Sequence, residues 1–374
     1  MHIAEMHITP IAISDPPLLN AAGLHAPYAL RIIVELVSDG RISGLSEIPG
    51  SQAVEAVLIN AREVLIGSIG RDPCDLNRLM ATLEEHFGTD GADSRGLAPW
   101  DQRRLVHIFS AVEVACLDMV GKDMGRPVVD LIGGAARDRV PFAAYLFFKY
   151  EGAGGALAFA TDPAAQGWPR TRQQAALDPE GIVAQARAMC DAFGFESIKL
   201  KGGARDPEIE VDSILALREA FGPDTPLRLD PNAIWTVDTA IHWGKKMEGI
   251  LEYYEDPVRG QENMARVRHA LSIPLATNMC TTSFADLPES IRLGAEDIIL
   301  ADHHYWGGLR ASVELGRICR TFGRGLSMHS NSHVGISLAA MTHLGAAVPN
   351  LTYALDTHYP WQAEDVIAGG PLEF

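Results

Sequence analysis

The sequence predicts an α/β protein in which a parallel β/α barrel carries an α+β capping domain. From residue 140 onward, short apolar segments alternate with helical patterns, which is typical of strand–helix units around a parallel sheet. We count eight strand candidates in this part of the chain, the number that closes a β/α barrel. Residues 1–133 lack this alternation and contain a strand hairpin followed by helical stretches.

The predicted domain boundaries follow these two patterns. The capping domain spans residues 1–133 and includes a lid loop at about residues 15–30, which is rich in small residues. The catalytic barrel spans residues 134–360. We expect residues 361–374 to begin a C-terminal segment that returns to the capping domain and is incomplete in this sequence.

The capping domain is predicted to begin with a β-hairpin and to continue with helices. Asp39-Gly40 is a turn signal between two segments of strand character. The last helical stretch has an apolar stripe that includes Val106, Val112 and Leu117. The predicted elements are strands His7–Ile13, Arg31–Val37 and Ile42–Glu47, and helices Ser51–Leu65 and Asp101–Gly121.

The barrel strands follow one another through the second domain. Asp178 before Pro179 predicts a helix start, because proline fits the first turn of a helix. A long insertion rich in Gly, Ala and Pro, Lys149–Leu177, separates the first strand from its helix, and we expect it over the barrel mouth. The predicted strands are Val140–Phe148, Ser197–Lys201, Leu227–Pro231, Leu251–Asp256, Pro274–Asn278, Asp297–Asp302, Gly325–His329 and Leu351–Asp356.

Composition and charge argue against several classes of protein. The 374 residues carry a formal net charge of −17, and no Lys/Arg run resembles a nucleic-acid-binding patch. The most apolar stretch, Val334–Val348, is too short to span a membrane. The five cysteines are scattered without a Cys-x-x-Cys pair, which fits a reducing cytoplasm. We expect a cytoplasmic homo-oligomer that binds a small molecule and neither nucleic acid nor membrane.

Two lysines on the second barrel strand are the first candidates for chemistry. Alternate side chains of a strand share one face, so Lys199 and Lys201 point together. A neighbouring positive charge and partial burial both lower a lysine pKa, which makes a neutral amine base accessible near neutral pH. A lone Lys-x-Lys is more often a solvated strand face, so this interpretation depends on the other strand ends.

The next three strands end in side chains that supply oxygen ligands. Catalytic groups of a β/α barrel lie at the C-terminal ends of the strands, and here these ends carry Asp230, Glu255 and Asn278. Hard oxygen ligands favour Mg²⁺ over zinc or copper. The sequence therefore predicts a Mg²⁺ site. The alternatives are a rim of solvated acids and, for the carboxylate position, Glu262.

A histidine and a carboxylate are predicted on the other side of this metal site. His329 ends the seventh strand and Asp302 ends the sixth. A carboxylate next to a histidine fixes the tautomer of the imidazole and raises its basicity. With the lysines opposite, an acid/base group would face each side of a substrate. This arrangement suits removal of a proton next to a carboxylate, because a cation holds the negative charge that develops.

These motifs resemble the enolase superfamily, its mandelate racemase group and, within that group, the glucarate dehydratases. The superfamily pattern is matched by Lys199-x-Lys201, Asp230-x-Asn232, Glu255-Asp256-Pro257 and the pair of Asp302 and His329. The narrower resemblance rests on the motifs at 145–148, 199–203, 276–279, 329–331 and 356–358, and on Asn20 and His25-Ala26-Pro27 in the lid loop. The resemblance covers nearly the whole chain and implies the modified TIM barrel of the enolase type.

The resemblance implies a Mg²⁺-dependent hydro-lyase that converts D-glucarate or L-idarate into 5-dehydro-4-deoxy-D-glucarate. By this resemblance Lys201 is one base, and Lys199 tunes it and touches the substrate carboxylate. His329, paired with Asp302, is the other base and the acid that expels the β-hydroxyl. The implied metal ligands are Asp230, Glu255 and Asn278. The implied substrate-binding residues are Asn20, His25, Tyr145, Lys199, Asn232, Asn278, Ser330, Asn331, Asp356 and His358.

Three features depart from the glucarate dehydratase pattern and leave alternatives open. The segment after Pro257 is shorter than expected, and Pro99 stands where the family places a substrate-binding threonine. The C-terminal segment that would supply an arginine to the distal carboxylate is absent from these residues. Another hexarate is therefore an alternative substrate. Two further alternatives are epimerisation or racemisation of a hydroxy acid, which needs the same two bases, and a low-activity paralogue that acts as a partner subunit.

Overall fold

The computed structural model describes residues 1–67, 72–88 and 104–374. Two positions discussed above, Pro99 and the predicted helix start at Asp101, lie outside these residues. Within the described residues, an antiparallel strand and helix domain packs against eight parallel strands, which confirms the predicted fold class. No helix in these ranges is long and apolar enough to cross a membrane.

The capping domain is built on a three-stranded antiparallel sheet. Strand β1 (Ile3–Ser14) is followed by a small hairpin of β2 (Leu19–Asn20) and β3 (Gly23–Leu24), and then by β4 (Tyr28–Ser38) and β5 (Ser43–Pro49). β4 pairs antiparallel with both β1 and β5. The turn between β4 and β5 includes Asp39-Gly40, as predicted. The helices of this domain are α1 (Gln52–Gly67), α2 (Leu76–Phe87), α3 (Arg104–Met124) and α4 (Val128–Leu131).

Strand β5 approaches α3 so closely that position 44 requires glycine. A Cβ atom on Gly44 would lie 1.9 Å from the carbonyl oxygen of Ala115. The Leu45 N–H donates a hydrogen bond of 2.8 Å to Asp118 Oδ2 on the same helix. These contacts bury α3 against the sheet and fix the orientation of β5.

The barrel strands lie within a few residues of their predicted positions, except for the last. They are β6 (Phe142–Phe147), β7 (Ser197–Lys201), β8 (Leu227–Asp230), β9 (Leu251–Glu255), β10 (Leu275–Thr277), β11 (Ile298–Ala301), β12 (Gly325–Met328) and β13 (Leu355–Asp356). The sheet runs in chain order from β6 to β12, and β13 pairs with β6. β13 is short because the residues before it make isolated hydrogen bonds to β12 instead of a continuous ladder. For example, Thr352 N–H donates to the Leu326 carbonyl over 3.0 Å.

Helices cover the outside of the barrel. The predicted helix at Pro179–Phe193 is observed with these bounds, and Asp178 accepts a hydrogen bond from Gly181 N–H at its start. The helices are α5 (Gly167–Thr171), α6 (Pro179–Phe193), α7 (Pro207–Phe221), α8 (Val237–Gly244), α9 (Gln261–Ala270), α10 (Leu287–Leu293), α11 (His303–Trp306), α12 (Leu309–Thr321) and α13 (Gly335–Ala347).

The insertion after β6 connects the lid loop to the turn that follows β13. Lys149 bridges to both Leu18 of the lid loop and Ala176 at the other end of the insertion. Trp168 Nε1 donates to the Pro360 carbonyl over 2.8 Å, and Arg172 Nε donates to the Trp361 carbonyl over 2.5 Å. The insertion therefore holds two sides of the barrel mouth together.

The last residues of the chain run along the outside of the barrel. Glu364 accepts hydrogen bonds of 3.2 Å from the backbone and hydroxyl of Ser14 in the capping domain. Phe374 packs edge-on against the rings of Phe142, Phe193 and Phe195. The segment thus contacts the capping domain at one point and the barrel along the rest of its path.

Two buried carboxylates of the capping domain accept hydrogen bonds at the N-termini of barrel helices. Glu113 on α3 accepts a bond of 2.5 Å from Leu309 N–H at the start of α12. Glu47 at the end of β5 accepts bonds of 2.9 Å from Val334 N–H and Ser337 N–H at the start of α13. The first N–H groups of a helix have no partner within the helix and favour negative charge. The capping domain therefore supplies hydrogen-bond acceptors to the N-termini of α12 and α13.

Glu113 generates a prediction about stability and pH. Burial raises the pKa of Glu113 to about 7 against a usual 4.5, so the folded state binds a proton that the unfolded state has lost between these values. Stability from this group is present below pH 4.5 and is lost as the pH rises through 7. Glu113→Gln should therefore gain about 2 kcal/mol relative to wild type between pH 5 and pH 8.

The measurement is the melting temperature of both proteins at pH 5 and pH 8. The control is Glu84→Gln on the exposed face of α2. A difference between Glu113→Gln and wild type that is the same at both pH values would contradict the assignment.

Candidate active site

The carboxyl ends of four barrel strands bring two lysines and three carboxylates together. Lys199 Nζ lies 2.6 Å from Glu255 Oε2 and 2.6 Å from Asp356 Oδ2. Asp230 Oδ2 lies 3.4 Å from the Lys199 ammonium and 2.6 Å from that of Lys201. All five side chains are buried. Buried charges require partners, and here each carboxylate has an ammonium within ion-pair distance.

The expectation that the paired lysines have lowered pKa values is wrong for Lys199. Burial lowers the pKa of Lys199, but the charges of Asp356 and Glu255 outweigh burial and hold it well above its usual range. From the sequence, the carboxylates at the neighbouring strand ends are expected to bind a metal, and only the second ammonium is expected to act on Lys199, whereas in the structure Glu255 and Asp356 pair with it directly. Lys199 is therefore a fixed cation in this structure, and Lys201 is the lysine at the cavity surface.

Oxygen donors for a cation stand at the ends of three adjacent strands. Asp230 ends β8, Glu255 ends β9 and Asn278 follows β10, and all three side chains are buried. Among the described residues, Glu255 Oε1 is buried without a hydrogen-bond partner. Burial, followed by the charge of Asp230, raises the pKa of Glu255 well above its usual range. A divalent cation would give Glu255 Oε1 a partner and would reduce the repulsion between Glu255 and Asp230, so these residues fit Mg²⁺.

Asp256 fixes the loop that carries Asn278. Its carboxylate accepts hydrogen bonds from Thr277 Oγ1 at 2.5 Å and from Asn278 N–H at 2.8 Å. Burial, followed by the charge of Asp230, raises the pKa of Asp256 to about 6. In the sequence, Asp256 stands out only as the middle residue of the Glu255-Asp256-Pro257 motif. The structure shows that it joins the end of β9 to the end of β10.

His329 and Asp302 form a buried pair on the other side of the cavity. His329 Nδ1 lies 3.1 Å from Asp302 Oδ2, so Nδ1 donates to the carboxylate and Nε2 is left to face a substrate. Burial lowers the pKa of His329, and Asp302 opposes this effect. Burial raises the pKa of Asp302, but His304 and then His329 hold it well below its usual range. The pair is thus an ionised carboxylate behind a neutral imidazole.

A second histidine pair is held by a residue that the sequence analysis missed. Asp15, buried at the end of β1, lies 3.1 Å from His25 Nδ1 and 3.4 Å from His358 Nε2. Asn20 Nδ2 donates to His25 Nε2 over 2.7 Å. The two imidazoles are stacked with ring centroids 6.3 Å apart. Asp15 therefore connects the lid loop to the end of β13. A lone Asp-Pro in a loop carries no sequence signal for this role.

A cavity of about 470 Å³ lies between the lid loop and the barrel, and some of the side chains described above line it. Its lining includes sequence-predicted residues from both domains: Asn20, His25, Tyr145, Lys201, His329, Ser330, Asn331 and His358. The other predicted residues do not line it: Lys199, Asp230, Asn232, Glu255, Asn278, Asp302 and Asp356. Two of these bond directly to lining residues, Asp230 to Lys201 and Asp302 to His329.

Two other features among the described residues resemble ligand-binding or metal-binding sites. A larger cavity of about 1410 Å³ lies at the amino ends of the strands, against Phe142, Ser197 and Phe374, away from the residues discussed above. Among the described residues, Asp302, His303 and His304 bring possible metal-ligand atoms within 4.8 Å of one another. Asp302, however, already accepts from His304 and His329. Neither feature competes with the cavity at the carboxyl ends of the strands.

Comparison with known proteins identifies the family. A family model described as "Enolase C-terminal domain-like" matches residues 181–374. A Streptomyces coelicolor protein named "Probable glucarate dehydratase" is 46% identical over 373 residues, covering 98% of this chain and 83% of that protein. The chain belongs to the enolase superfamily. The resemblance inferred from the motifs is therefore confirmed.

Solved structures of the enolase superfamily have the same fold as this chain. A Thermobispora bispora enolase complexed with magnesium and formate superimposes with a TM-score of 0.90 at 49% identity, covering 100% of this chain and 86% of that one. A Pseudomonas fluorescens enolase with bound magnesium, potassium and tartrate gives a TM-score of 0.89 at 46% identity, with the same coverage of both chains. These superfamily members bind a magnesium ion and small carboxylic acids.

The Lys-x-Lys-Gly-Gly motif of this enolase superfamily member has a structural reason for its glycines. Gly203 has a φ of +73°, and a Cβ atom there would lie 2.4 Å from the Pro231 carbonyl oxygen after β8. The buried Glu210 carboxylate accepts hydrogen bonds from Gly203 N–H at 2.9 Å and Ala204 N–H at 2.8 Å. The loop thus turns sharply directly after Lys201, which fixes the end of β7.

Gly203→Ala should therefore destabilise the protein by about 2–4 kcal/mol, from the left-handed backbone and from the clash with Pro231. The matched control is Gly194→Ala, where φ is +71° and nothing lies within 4 Å of the added Cβ. That variant should lose only about 1 kcal/mol. Equal losses in denaturant unfolding would show that the close approach to Pro231 has no energetic effect.

Proposed function

We propose that this chain is a Mg²⁺-dependent dehydratase of acid sugars that acts on a hexarate such as D-glucarate or L-idarate. The observation that carries the proposal is that Lys201 and His329 line one cavity, with Asp302 behind the histidine. The Streptomyces coelicolor relative supports the reaction class, a hydro-lyase, through its name. The proposed product is 5-dehydro-4-deoxy-D-glucarate.

The proposed metal ligands are Asp230, Glu255 and Asn278. They supply only oxygen atoms, and the buried Glu255 Oε1 has no hydrogen-bond partner among the described residues. The magnesium ions in the Thermobispora bispora and Pseudomonas fluorescens structures support the choice of cation. When bound, Mg²⁺ would supply positive charge for a substrate carboxylate, which makes the neighbouring proton more acidic.

In the proposed reaction, the chain's own bases move the α-proton. Lys201 Nζ or His329 Nε2 takes the proton from the carbon next to the carboxylate, according to which face carries it. When His329 has taken the α-proton, it gives that proton to the β-hydroxyl, which leaves as water. When Lys201 takes the α-proton, His329 first takes a proton from solvent and then gives it to the β-hydroxyl. Lys199 stays cationic and stabilises the negative charge that develops on the carboxylate. Water is the only group lost, and the enol product converts to the ketone.

The remaining lining residues are proposed to bind the sugar acid. Asn20 and His25 reach the cavity from the lid loop, and Tyr145 and His358 reach it from the barrel. Ser330 and Asn331, directly after His329, also line the cavity. Asp15 is proposed to hold His25 and His358 as hydrogen-bonding groups for the substrate. Asn232 and Asp356, which do not line the cavity, are proposed to act through Asp230 and Lys199, which they contact.

Epimerisation of a hydroxy acid is the second candidate function. The same observation favours it, because two bases that face one cavity can remove a proton from one face and return it to the other. Product analysis separates the two reactions, since a dehydratase forms a keto acid and an epimerase forms a diastereomer. The absence of either reaction would favour the role of a partner subunit for an active paralogue.

Removal of the metal should abolish turnover, and Mg²⁺ should restore it, because substrate acidity depends on the cation. Glu255→Gln should lose this Mg²⁺-dependent turnover. Glu262→Gln, at the exposed start of α9, is the matched control and should keep it. The measurements are keto-acid formation from hexarates after chelator dialysis and Mg²⁺ binding by calorimetry. Full activity of the dialysed protein would disprove the metal requirement.

The two bases should serve opposite faces of the α-carbon. In deuterated water, His329→Asn should lose dehydration but keep α-proton exchange of the L-idarate-like epimer, because Lys201 remains. Lys201→Ala should lose exchange of that epimer and keep that of the D-glucarate-like one. A general base contributes about 10²–10⁴-fold, so the asymmetry is measurable by NMR. Equal loss of exchange from both epimers in His329→Asn would show that one residue serves both faces.

A further inference from the structure

A buried chain of contacts runs from the capping domain to Asp302. It begins with the ion pair of Arg31 on β4 and Glu47 on β5, whose Nε and Oε1 atoms are 2.7 Å apart. The other arm of the guanidinium lies 3.4 Å from His304 Nε2, and Nη1 donates to Asn331 Oδ1 over 3.2 Å. Arg31 and Glu47 are each 2% exposed, so water does not compete for these contacts.

His304 connects this ion pair to the proposed base. Its ring Nδ1 lies 2.8 Å from Asp302 Oδ1, and its own backbone N–H donates to the same oxygen over 2.8 Å. Its Nε2 lies 2.9 Å from Ser337 Oγ and 3.0 Å from the Glu47 carbonyl oxygen. The imidazole is 2% exposed and is held at both nitrogen atoms. Its orientation is therefore fixed from both domains.

Asp302 divides its two oxygens between two histidines. Oδ1 accepts from His304, and Oδ2 lies 3.1 Å from His329 Nδ1. A carboxylate that bonds only one imidazole can rotate about its own side chain, and the direction of that bond then varies. The second imidazole removes this freedom, because rotation would break the bonds to Oδ1.

We propose that His304 is a positioning residue for the dehydratase reaction: it holds Asp302 so that His329 Nε2 points at the α-carbon, and the Arg31–Glu47 pair of the capping domain holds His304. The proposal rests on the proposed function, in which His329 is a base and an acid. His304 does not line the cavity, and both of its ring nitrogen atoms contact protein atoms. The capping domain would then affect catalysis by orienting the base His329 as well as by supplying the lid loop.

The neighbouring histidine provides a comparison within the same turn. His303 is also buried, and its ring packs on that of His304 with centroids 3.8 Å apart. Burial and the charge of His304 lower the pKa of His303 well below its usual range. His304, in contrast, contributes the largest of the effects that keep Asp302 ionised. Two adjacent buried imidazoles therefore differ in whether they hold the carboxylate.

Several charged and titratable groups face His329, Asp302 and His304. The variants proposed below leave all of them unchanged except His304 and, in the control variant, His303. Lys199 and Lys201 face His329. Those around Asp302 and His304 are Arg31, Glu47, His107, His303 and His333.

The first experiment measures α-proton exchange of both C5 epimers in deuterated water with His304→Leu. Exchange by His329 should fall about 10- to 100-fold, because Asp302 loses a hydrogen bond to a buried group. Exchange by Lys201 should stay within about 3-fold of wild type, since Lys201 is held by Asp230 instead. His304→Asn, whose amide can donate near the position of Nδ1, should recover most of the loss. His303→Asn is the matched control and should match wild type.

The second experiment follows the His329 imidazole by NMR as the pH is changed, in the protein without substrate or metal. In His304→Leu its titration should move to higher pH, because Asp302 then shares its charge with one imidazole fewer. In His304→Asn and His303→Asn it should stay near the wild-type position. This readout needs no turnover, so it tests the proposal even if no acid sugar is a substrate and the proposed function fails.

Two results would overturn the proposal. One is a His304→Leu protein with the wild-type ratio of the two exchange rates and the wild-type His329 titration. The other is an equal loss for both epimers together with a lower melting temperature, which would make His304 a general structural residue. A one-sided loss with a shifted titration would support the positioning role.

Discussion

The ammonium group of Lys199 is the interaction on which the rest of the site depends. Asp230, Glu255 and Asp356 are brought together in the barrel interior, and three unpaired carboxylates there would be strongly destabilising. Lys199 lies within ion-pair distance of all three, and Arg228 Nη1 lies 3.4 Å from Asp356 on its other side. These cations offset part of the repulsion among the three buried carboxylates and hold their oxygen atoms in place.

The capping domain contributes more to this site than a cover. Its carboxylates Glu47 and Glu113 accept from the first N–H groups of α13 and α12, and Asp15 holds one histidine from each domain. Each of these contacts is buried and places a carboxyl oxygen where a helix N–H or an imidazole N–H is available to donate. The position of the capping domain is therefore fixed by the same atoms that orient groups in the barrel.

The sequence predicted the features that follow from hydrophobic periodicity and from the residues at the strand ends. It missed features that depend on contacts between distant segments. Alternation of apolar residues located the strands, and the chemistry of the strand ends grouped Lys201, Asp230 and Glu255 correctly in space. The last strand was predicted too long, because β13 has little ladder pairing with β12. The pKa direction of Lys199 was wrong, since it depends on charges from three other strands. The roles of Asp15 and His304 were missed, because each depends on a partner that is distant in the chain: His358 for Asp15 and Arg31 for His304.

The buried bonds of Glu47 also constrain the order of folding. Glu47 lies 287 residues before Val334 and 290 residues before Ser337, the two residues whose N–H groups it accepts. During synthesis the hairpin of β4 and β5 leaves the ribosome long before α13 is made. Until then its charged pair of Arg31 and Glu47 is exposed to water. Contacts of such separation form slowly, because a long loop must close before they stabilise anything. The bonds between Glu47 and α13 can therefore form only after residues 334–337, close to the end of the 374-residue chain, have been synthesised.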